Sequence, residues 1–367
     1  MIDDRGGDRF IIIYTQPALS RRLPAEYTRS KSFKKGIDST EGRRRRTETT
    51  ISLRKNKKDE GIAKRRAMAV LPAAPAATNS AVGMNNVSTS GKSDKVYTAA
   101  DIPSLTAALQ QPNISDATLL DVARGFRKIM SVEDNPPVAQ VLASGVLPAF
   151  VQMLQLNEKP KVQFEAAWAL TNIASTDETK AVVDAGAVPL FAQLLSSPSA
   201  ELREQCAWCL GNIAGDSPAL RDIVLSSGAI EPLIGNIMKP DNDSLFGNCV
   251  WALSNFCRGK PVADLRYVAP ALPVLAKIMS SCEVKDEAKI DGCWALSYVS
   301  DGDDDRIQLV LDTGVADALV AMLDEGKLHT QILVLALFNS SSPMPSSSKA
   351  PNIRAAAIRT TIQTCRT

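Results

Sequence analysis

Four tryptophan-led strings recur along the chain at nearly constant spacing. They read WALTNIAS from Trp168, WCLGNIAG from Trp208, WALSNFCRG from Trp251 and WALSYVSDG from Trp294, so successive tryptophans lie 40, 43 and 43 residues apart. A second string also recurs, as SGVLP at Ser144, AGAVP at Ala185, SGAIEP at Ser227 and, without the proline, TGVAD at Thr313. Glycine commonly ends a helix and proline is favoured near the start of one. The two strings together predict repeated units of about three helices.

A period near 42 residues is typical of armadillo or HEAT units. One unit cannot bury its apolar face alone, so neighbouring units stack into a superhelix with a long concave face. Within one repeat we expect Ala166, Ala167, Leu170 and Ile173 to form the packing side of a helix. The predicted fold is all-α, an armadillo-repeat superhelical solenoid over residues 99–328 that comprises five repeats and a partial sixth.

Tryptophan and asparagine lie four residues apart in three repeats, at Trp168/Asn172, Trp208/Asn212 and Trp251/Asn255. Four residues make about one helical turn, so each pair shares a helix face, and stacking aligns the pairs into rows. A row of asparagines can hydrogen-bond the backbone of an extended peptide. Slots between neighbouring indoles suit lysine and arginine stems, with a cation–π attraction of roughly 0.5–2 kcal/mol each. One such pair indicates only core packing, whereas three pairs in register predict a peptide-binding groove.

Charge divides the chain into segments of opposite sign. Residues 21–66 hold seventeen Lys/Arg and six Asp/Glu, a net charge of +11 in a chain whose total is +2. This basic segment has no apolar stripe, so we expect it to be disordered alone and helical against an acidic partner. Residues 67–98 are expected to be a flexible linker, 1–20 an unusual N-terminal extension, and 329–367 an irregular, disordered C-terminus.

Several functional classes lack their sequence signatures. No apolar run is long enough to span a bilayer, so a membrane partner is not expected. A metal site is not expected either, because the chain has one histidine, His329, and no second close cysteine pair. Cys206 and Cys209 have the spacing of a redox motif but no βαβ context. An enzyme built on this pair is a minor alternative, and we expect neither catalytic residues nor a cofactor.

The basic segment, linker and WALxN repeats, in this order, resemble the importin-α family of nuclear import adaptors over residues 29–322. STEGRRRRTETTISLRKNKKDEGIAKRR, from Ser39, is similar to the family's importin-β-binding segment. By this resemblance importin-β would bind Arg43, Arg44, Arg45, Arg46, Arg54, Lys55, Lys57 and Lys58. The resemblance further implies cargo proteins with basic nuclear localisation signals, an export receptor for recycling, and shuttling between cytoplasm and nucleus.

The resemblance also assigns groove residues. The three Trp/Asn pairs would form the major groove for localisation signals, and Trp294 would extend it, although Tyr298 replaces the asparagine there. Asp216 matches the carboxylate that pairs with the signal's critical lysine, and Thr179 matches a hydroxyl that helps to hold the same lysine. Four further residues fall on positions that flank this groove in the family: Gln205, Asn248, Arg258 and Asp291.

The stretch Lys64-Arg65-Arg66 mimics a localisation signal and is tethered to the groove that reads such signals. A linker of about thirty residues spans roughly 30 Å, so we expect the tail to occupy the groove until importin-β removes it.

The sequence departs from the family after Trp294, where no further tryptophan occurs. We therefore expect a shortened C-terminus and no second, minor groove.

The residues leave one alternative open, a general armadillo interaction scaffold whose polybasic tail binds nucleic acid, since polybasic runs bind phosphate. The basic segment has no interleaved aromatics and the solenoid beside it is acidic, and both features disfavour nucleic acid as the partner.

Overall fold

The computed structural model of the chain describes residues 95–131 and 136–324. The predicted extension at 1–20, the basic segment at 21–66, most of the linker, His329 and the C-terminus at 329–367 lie outside the described residues. The described part contains sixteen α-helices and two single turns of 3-10 helix, and no β-strand. The all-α prediction is therefore confirmed for this part of the chain.

The helices follow one another in a regular order. They are α1 Ile102–Leu109, α2 Asp116–Met130, α3 Val138–Ala143, α4 Leu147–Met153, α5 Pro160–Ala174, α6 Thr179–Asp184, α7 Ala187–Leu194, α8 Ala200–Asp216, α9 Pro218–Ser226, α10 Ile230–Met238, α11 Asp243–Phe256, α12 Leu265–Val268, α13 Leu272–Ser280, α14 Asp286–Val299, α15 Asp304–Asp312 and α16 Val315–Asp324. The 3-10 turns are Ala99–Asp101, before α1, and Ala269–Ala271, between α12 and α13. Each repeat thus has two shorter helices followed by one long helix.

Local sequence signals explain where the helices start and stop. Ser115, Ser199 and Asn242 precede the long helices α2, α8 and α11, and each side chain accepts a hydrogen bond from a backbone N–H of the first turn. Such caps stabilise a helix by about 1 kcal/mol. The recurring glycine strings form the turn between the first and second helices, where Gly145, Gly186, Gly228 and Gly314 have φ between +73° and +79°. Only glycine adopts this left-handed backbone without strain, so the predicted helix breaks are confirmed.

The long helices pack against one another in succession, α2 on α5, α5 on α8, α8 on α11 and α11 on α14. Ala166, Ala167, Leu170 and Ile173 of α5 are fully buried, which confirms their predicted packing role. Removing a leucine or isoleucine side chain from water contributes roughly 1.5–3 kcal/mol. Stacking therefore stabilises the described repeats and fixes the register between neighbouring long helices. None of the described helices combines the length and the apolar character needed to cross a bilayer.

Candidate functional site

The four repeated tryptophans lie one on each of four consecutive long helices, α5, α8, α11 and α14. We call Trp168, Trp208, Trp251 and Trp294 the tryptophan row. Trp208 is buried, with 8% of its surface exposed, and the other three are partly exposed. Because the four helices pack in sequence order, the row runs from one repeat to the next along a single stack of helices.

Trp251 shows how an indole of the row sits on the preceding repeat. A Cβ atom added to Gly211 of α8 would lie 2.4 Å from the Cζ3 atom of Trp251, closer than any real contact allows. The absence of a side chain at Gly211 is therefore what lets the indole of α11 approach α8. The repeated string WCLGNIAG contains Gly211, but the tryptophan that packs on it, Trp251, belongs to the next repeat.

The three ladder asparagines are all buried, with 3%, 1% and 7% of Asn172, Asn212 and Asn255 exposed. The Nδ2 atom of Asn172 donates to the Ser131 hydroxyl at 3.1 Å, and that of Asn255 donates to the Gly211 carbonyl at 3.0 Å. Two of the three carboxamides thus tie their helix to the preceding repeat. An asparagine has two N–H donors and one oxygen acceptor, so these contacts use only part of its hydrogen-bonding capacity.

Asn212, in the middle of the row, differs from the other two. Neither its Nδ2 nor its Oδ1 atom has a hydrogen-bond partner among the described residues, although both atoms are buried. A buried polar group without a partner destabilises a fold by about 1–3 kcal/mol. This side chain therefore keeps its full hydrogen-bonding capacity at the centre of the candidate site.

The residue three positions before each tryptophan is polar throughout: Glu165, Gln205, Asn248 and Asp291. Residues three positions apart are neighbours on the surface of a helix, so these polar residues form a second row beside the tryptophans. Asn248 is buried and its Nδ2 atom donates to the Glu204 carboxylate of the preceding long helix at 2.7 Å. Gln205 is buried too, with Nε2 unpartnered among the described residues, whereas Asp291 is partly exposed.

Asp216, Thr179 and Arg258 lie at helix ends. Asp216 is exposed as the last residue of α8, where the helix dipole disfavours a carboxylate. Thr179 is buried as the first residue of α6, and its hydroxyl donates to the Thr176 carbonyl at 2.7 Å. Arg258, just after α11, donates to the Gly215 carbonyl beside Asp216 at 3.3 Å. Arg258 and Asp216 are thereby brought to the same end of the α8–α11 pair.

The sequence predictions missed Arg127, which occupies the tryptophan position in the first long helix. It lies 41 residues before Trp168, and Ser131 lies 41 residues before Asn172, so the Arg127/Ser131 pair repeats the Trp/Asn spacing. Its guanidinium sits over the Trp168 ring, 4.6 Å from the centroid, and its Nε donates to Glu165. The repeat period alone could have identified this residue.

The cysteine pair in α8 is unsuited to redox chemistry. Cys206 and Cys209 are both fully buried free thiols, and burial raises the pKa of each thiol well above its ordinary value. Burial likewise raises the pKa of Cys249 and of Cys293 to about 12. A thiol that keeps its proton at neutral pH is a poor nucleophile and a poor metal ligand. Among the described residues, no cluster of His, Cys, Asp and Glu could hold a metal ion.

Two family models match the sequence. The importin beta binding domain matches residues 29–118, which covers much of the basic segment, the linker, α1 and the start of α2. The armadillo/beta-catenin-like repeat matches residues 134–175 and 175–215, each of which ends within or just after a long helix.

Curated relatives are named importin subunit alpha. The chain is 42% identical over 298 residues to importin subunit alpha-2 of Arabidopsis thaliana, which covers 80% of this chain and 54% of that protein. It is 48% identical over 224 residues to importin subunit alpha-1b of Oryza sativa subsp. japonica, with 60% and 41% covered. Importin subunit alpha-B of Dictyostelium discoideum is 41% identical over 308 residues, with 83% and 56% covered. The chain thus spans about half the length of these relatives.

Solved structures support the fold. A designed armadillo repeat protein in complex with the peptide (KR)4 superposes with a TM-score of 0.58 at 22% identity, covering 65% of this chain and 99% of that one. An engineered protein superposes with a TM-score of 0.61 at 26% identity, covering 71% and 61%. The armadillo-repeat prediction is therefore confirmed.

Proposed function

Because the chain belongs to the importin-α family, we propose that it is a nuclear import adaptor, which links cargo to importin-β and performs no chemistry. Cargo proteins would bind through lysine- and arginine-rich localisation signals on the tryptophan-row face. Importin-β would bind the basic segment at 21–66, most of which falls within the matched importin beta binding domain.

The observation that carries this proposal is the tryptophan row on four stacked helices. An indole face attracts a guanidinium or ammonium group by about 0.5–2 kcal/mol, and Trp168, Trp251 and Trp294 each keep part of their surface exposed. The chain itself contains one example of the contact, since Arg127 lies 4.6 Å from the Trp168 centroid. A cargo lysine or arginine would use the same attraction at the later indoles.

Polar groups beside the row would orient the peptide and select its charge. Asn212 offers an unpartnered carboxamide to the backbone groups of a peptide. Asn172 and Asn255 would use the hydrogen-bonding atoms that are not engaged with the preceding repeat. Exposed Asp216 would pair with the critical lysine, and the Thr179 hydroxyl would help to hold the same lysine. The flanking roles would belong to Gln205, Asn248, Arg258 and Asp291.

The basic segment would serve two partners in turn. Its arginines and lysines from Arg43 to Lys58 would bind an acidic surface of importin-β, because opposite charge gives rapid, salt-sensitive association. Lys64-Arg65-Arg66 would occupy the tryptophan-row face when importin-β is absent. An export receptor would then return the emptied adaptor, so that the protein shuttles between cytoplasm and nucleus.

The test of cargo binding is fluorescence anisotropy of a labelled lysine-rich localisation peptide, titrated with the full chain in the presence of importin-β. We expect a Kd of about 1 μM or tighter, and a loss of at least tenfold in the double variant Trp208→Ala/Asn212→Ala. Lys180→Met is the matched control, since Lys180 is an exposed residue of α6 paired with Asp184 at 2.6 Å. Equal affinity in the double variant and the control would refute a binding site on this face.

A further inference from the structure

We propose that Arg124 and Arg127 make the first-repeat end of the tryptophan row cationic. At the end of a bound peptide that lies over this first repeat, the face therefore prefers an acidic residue to a lysine. This inference rests on the proposed function, because it concerns the specificity of the same face. It identifies Arg127 as a residue that limits how far a run of basic cargo residues extends along the row.

The first step of the argument is that Arg127 already fills the indole face it touches. Its side chain is nearly buried, with 8% of the residue exposed, and the guanidinium lies over Trp168. The backbone carbonyl of Arg127 accepts from the Ser131 hydroxyl at 2.8 Å, and that hydroxyl in turn accepts from Asn172. A cargo cation cannot occupy the same side of Trp168 without displacing this network.

The second step concerns the charge that remains. Arg127 and Arg124 share one carboxylate, Glu165, with Arg124 Nε donating to it at 3.0 Å. Glu165 lies on α5, and the two carboxylates of α2 itself each have a lysine of their own, Asp121 with Lys95 at 3.2 Å and Asp116 with Lys159 at 2.6 Å. The cluster of two arginines and one glutamate therefore carries a net charge of +1, and the Arg124 side chain is 41% exposed.

The third step is the contrast with the rest of the row. The residue three positions before the tryptophan is the neutral Gln205 or Asn248 in the next two repeats and Asp291 in the fourth, and the exposed Asp216 follows the second tryptophan. Of the four tryptophans in the row, only Trp168 has two arginines of the preceding long helix beside it. These arginines repel a peptide lysine that binds there, whereas a peptide glutamate forms a partly exposed ion pair with them. Partly exposed ion pairs are weak, so we expect a preference of roughly 1.5- to fivefold in Kd.

The experiment uses the full chain with importin-β and three labelled peptides that share one lysine- and arginine-rich core. One carries glutamates before the core, one carries glutamates after it, and one carries lysines on both sides. Wild type should bind one of the two glutamate peptides roughly 1.5- to fivefold more tightly than the lysine peptide. Arg124→Gln leaves Arg127 paired with Glu165 at zero net charge and should abolish this preference, whereas Arg127→Met/Glu165→Gln leaves the charge of Arg124 in place and should keep it.

Lys285→Gln serves as the control, because Lys285 also forms an inter-repeat ion pair, with Asp243 at 2.7 Å, but lies far along the chain from α2. It should keep the full preference. If the double variant does not fold, the exposed Arg124→Gln still decides the question. Equal binding of all three peptides, or a preference unchanged in Arg124→Gln, overturns the inference while leaving the proposed function intact. Failure of every peptide to bind overturns both.

Discussion

The ladder asparagines show that residues in identical motif positions need not have identical roles. Asn172 and Asn255 hold neighbouring repeats together, whereas Asn212 has no partner among the described residues. A buried unpartnered carboxamide weakens the fold, and such groups are found at sites that a ligand uses. Under the proposed function, the fold and the binding site make opposite demands on Asn212.

Substitution by alanine should separate these two roles. Asn255→Ala removes the hydrogen bond that the Gly211 carbonyl accepts from the next repeat and should lower the free energy of unfolding by about 0.5–1.5 kcal/mol. Asn212→Ala removes an unpartnered group, so its unfolding midpoint should stay level or rise, while peptide affinity falls at least fivefold. Urea unfolding and peptide anisotropy measure the two effects. A large loss of stability in Asn212→Ala together with unchanged affinity would show that the residue is only structural.

Cysteine reactivity gives a test of burial at single residues. Cys206, Cys209, Cys249, Cys257 and Cys293 are buried and Cys282 is exposed. Raised thiol pKa values should keep Cys206 and Cys209 protonated throughout pH 7–9, so a thiol reagent should label Cys282 alone in the folded Cys365→Ser variant. Mass spectrometry of labelled peptides identifies the site. Rapid labelling of Cys206 or Cys209 would revive the redox alternative.

At the scale of helices, the spacing of the long helices depends on glycines that the next repeat covers. Gly211 of α8 lies under Trp251 of α11, so the tryptophan row requires a small residue one repeat earlier. Gly247, in α11 itself, has open space around its Cβ position. The two glycines therefore form a matched pair for substitution.

Gly211→Ala should push Trp251 off α8, because the new Cβ would lie 2.4 Å from the indole. Overpacking of this kind lowers stability by about 1–3 kcal/mol, and the displaced indole should also weaken peptide binding several-fold. Gly247→Ala should stabilise the helix by up to about 1 kcal/mol and leave binding unchanged. Thermal melting and anisotropy on both variants test this. An unaltered melting temperature in Gly211→Ala would contradict the packing described for Trp251.

The sequence predicted the elements better than it predicted their contacts. Repeat period, glycine turns and the packing side of α5 could all be derived from residues close together in the chain. The Asn255–Gly211, Asn248–Glu204 and Arg127–Trp168 contacts each join residues more than forty positions apart. Such pairs depend on how one helix is offset against the next, which a local pattern does not encode. For this reason the inter-repeat hydrogen bonds of the asparagines were not foreseen, whereas the position of Arg127 could have been read from the repeat period.

At the scale of the whole molecule, the chain joins a segment of net charge +11 to a repeat array of the opposite sign. The proposed tail competes with cargo because it is tethered, and a flexible linker of about thirty residues gives an effective concentration near millimolar. Competition at that concentration is strong enough to exclude weak cargo. Cargo affinity should therefore depend on whether importin-β holds the tail.

Deletion of residues 1–66 should tighten the binding of a localisation peptide by about tenfold or more in the absence of importin-β, because the competing Lys64-Arg65-Arg66 is removed. The gain should shrink at high salt, which screens the attraction between tail and face. Anisotropy with the full chain and the deleted chain at two salt concentrations measures both effects. Identical affinities at low salt would mean that the tail does not occupy the face.

The central claim is that one face of this chain carries basic-signal cargo while the basic segment recruits importin-β. Nuclear accumulation of a fluorescent signal-bearing cargo in permeabilised cells, supplied with importin-β and this chain, tests it most directly. Wild type should support accumulation, and Trp208→Ala/Asn212→Ala should abolish it while still binding importin-β. Accumulation as strong with the double variant as with wild type would contradict the account.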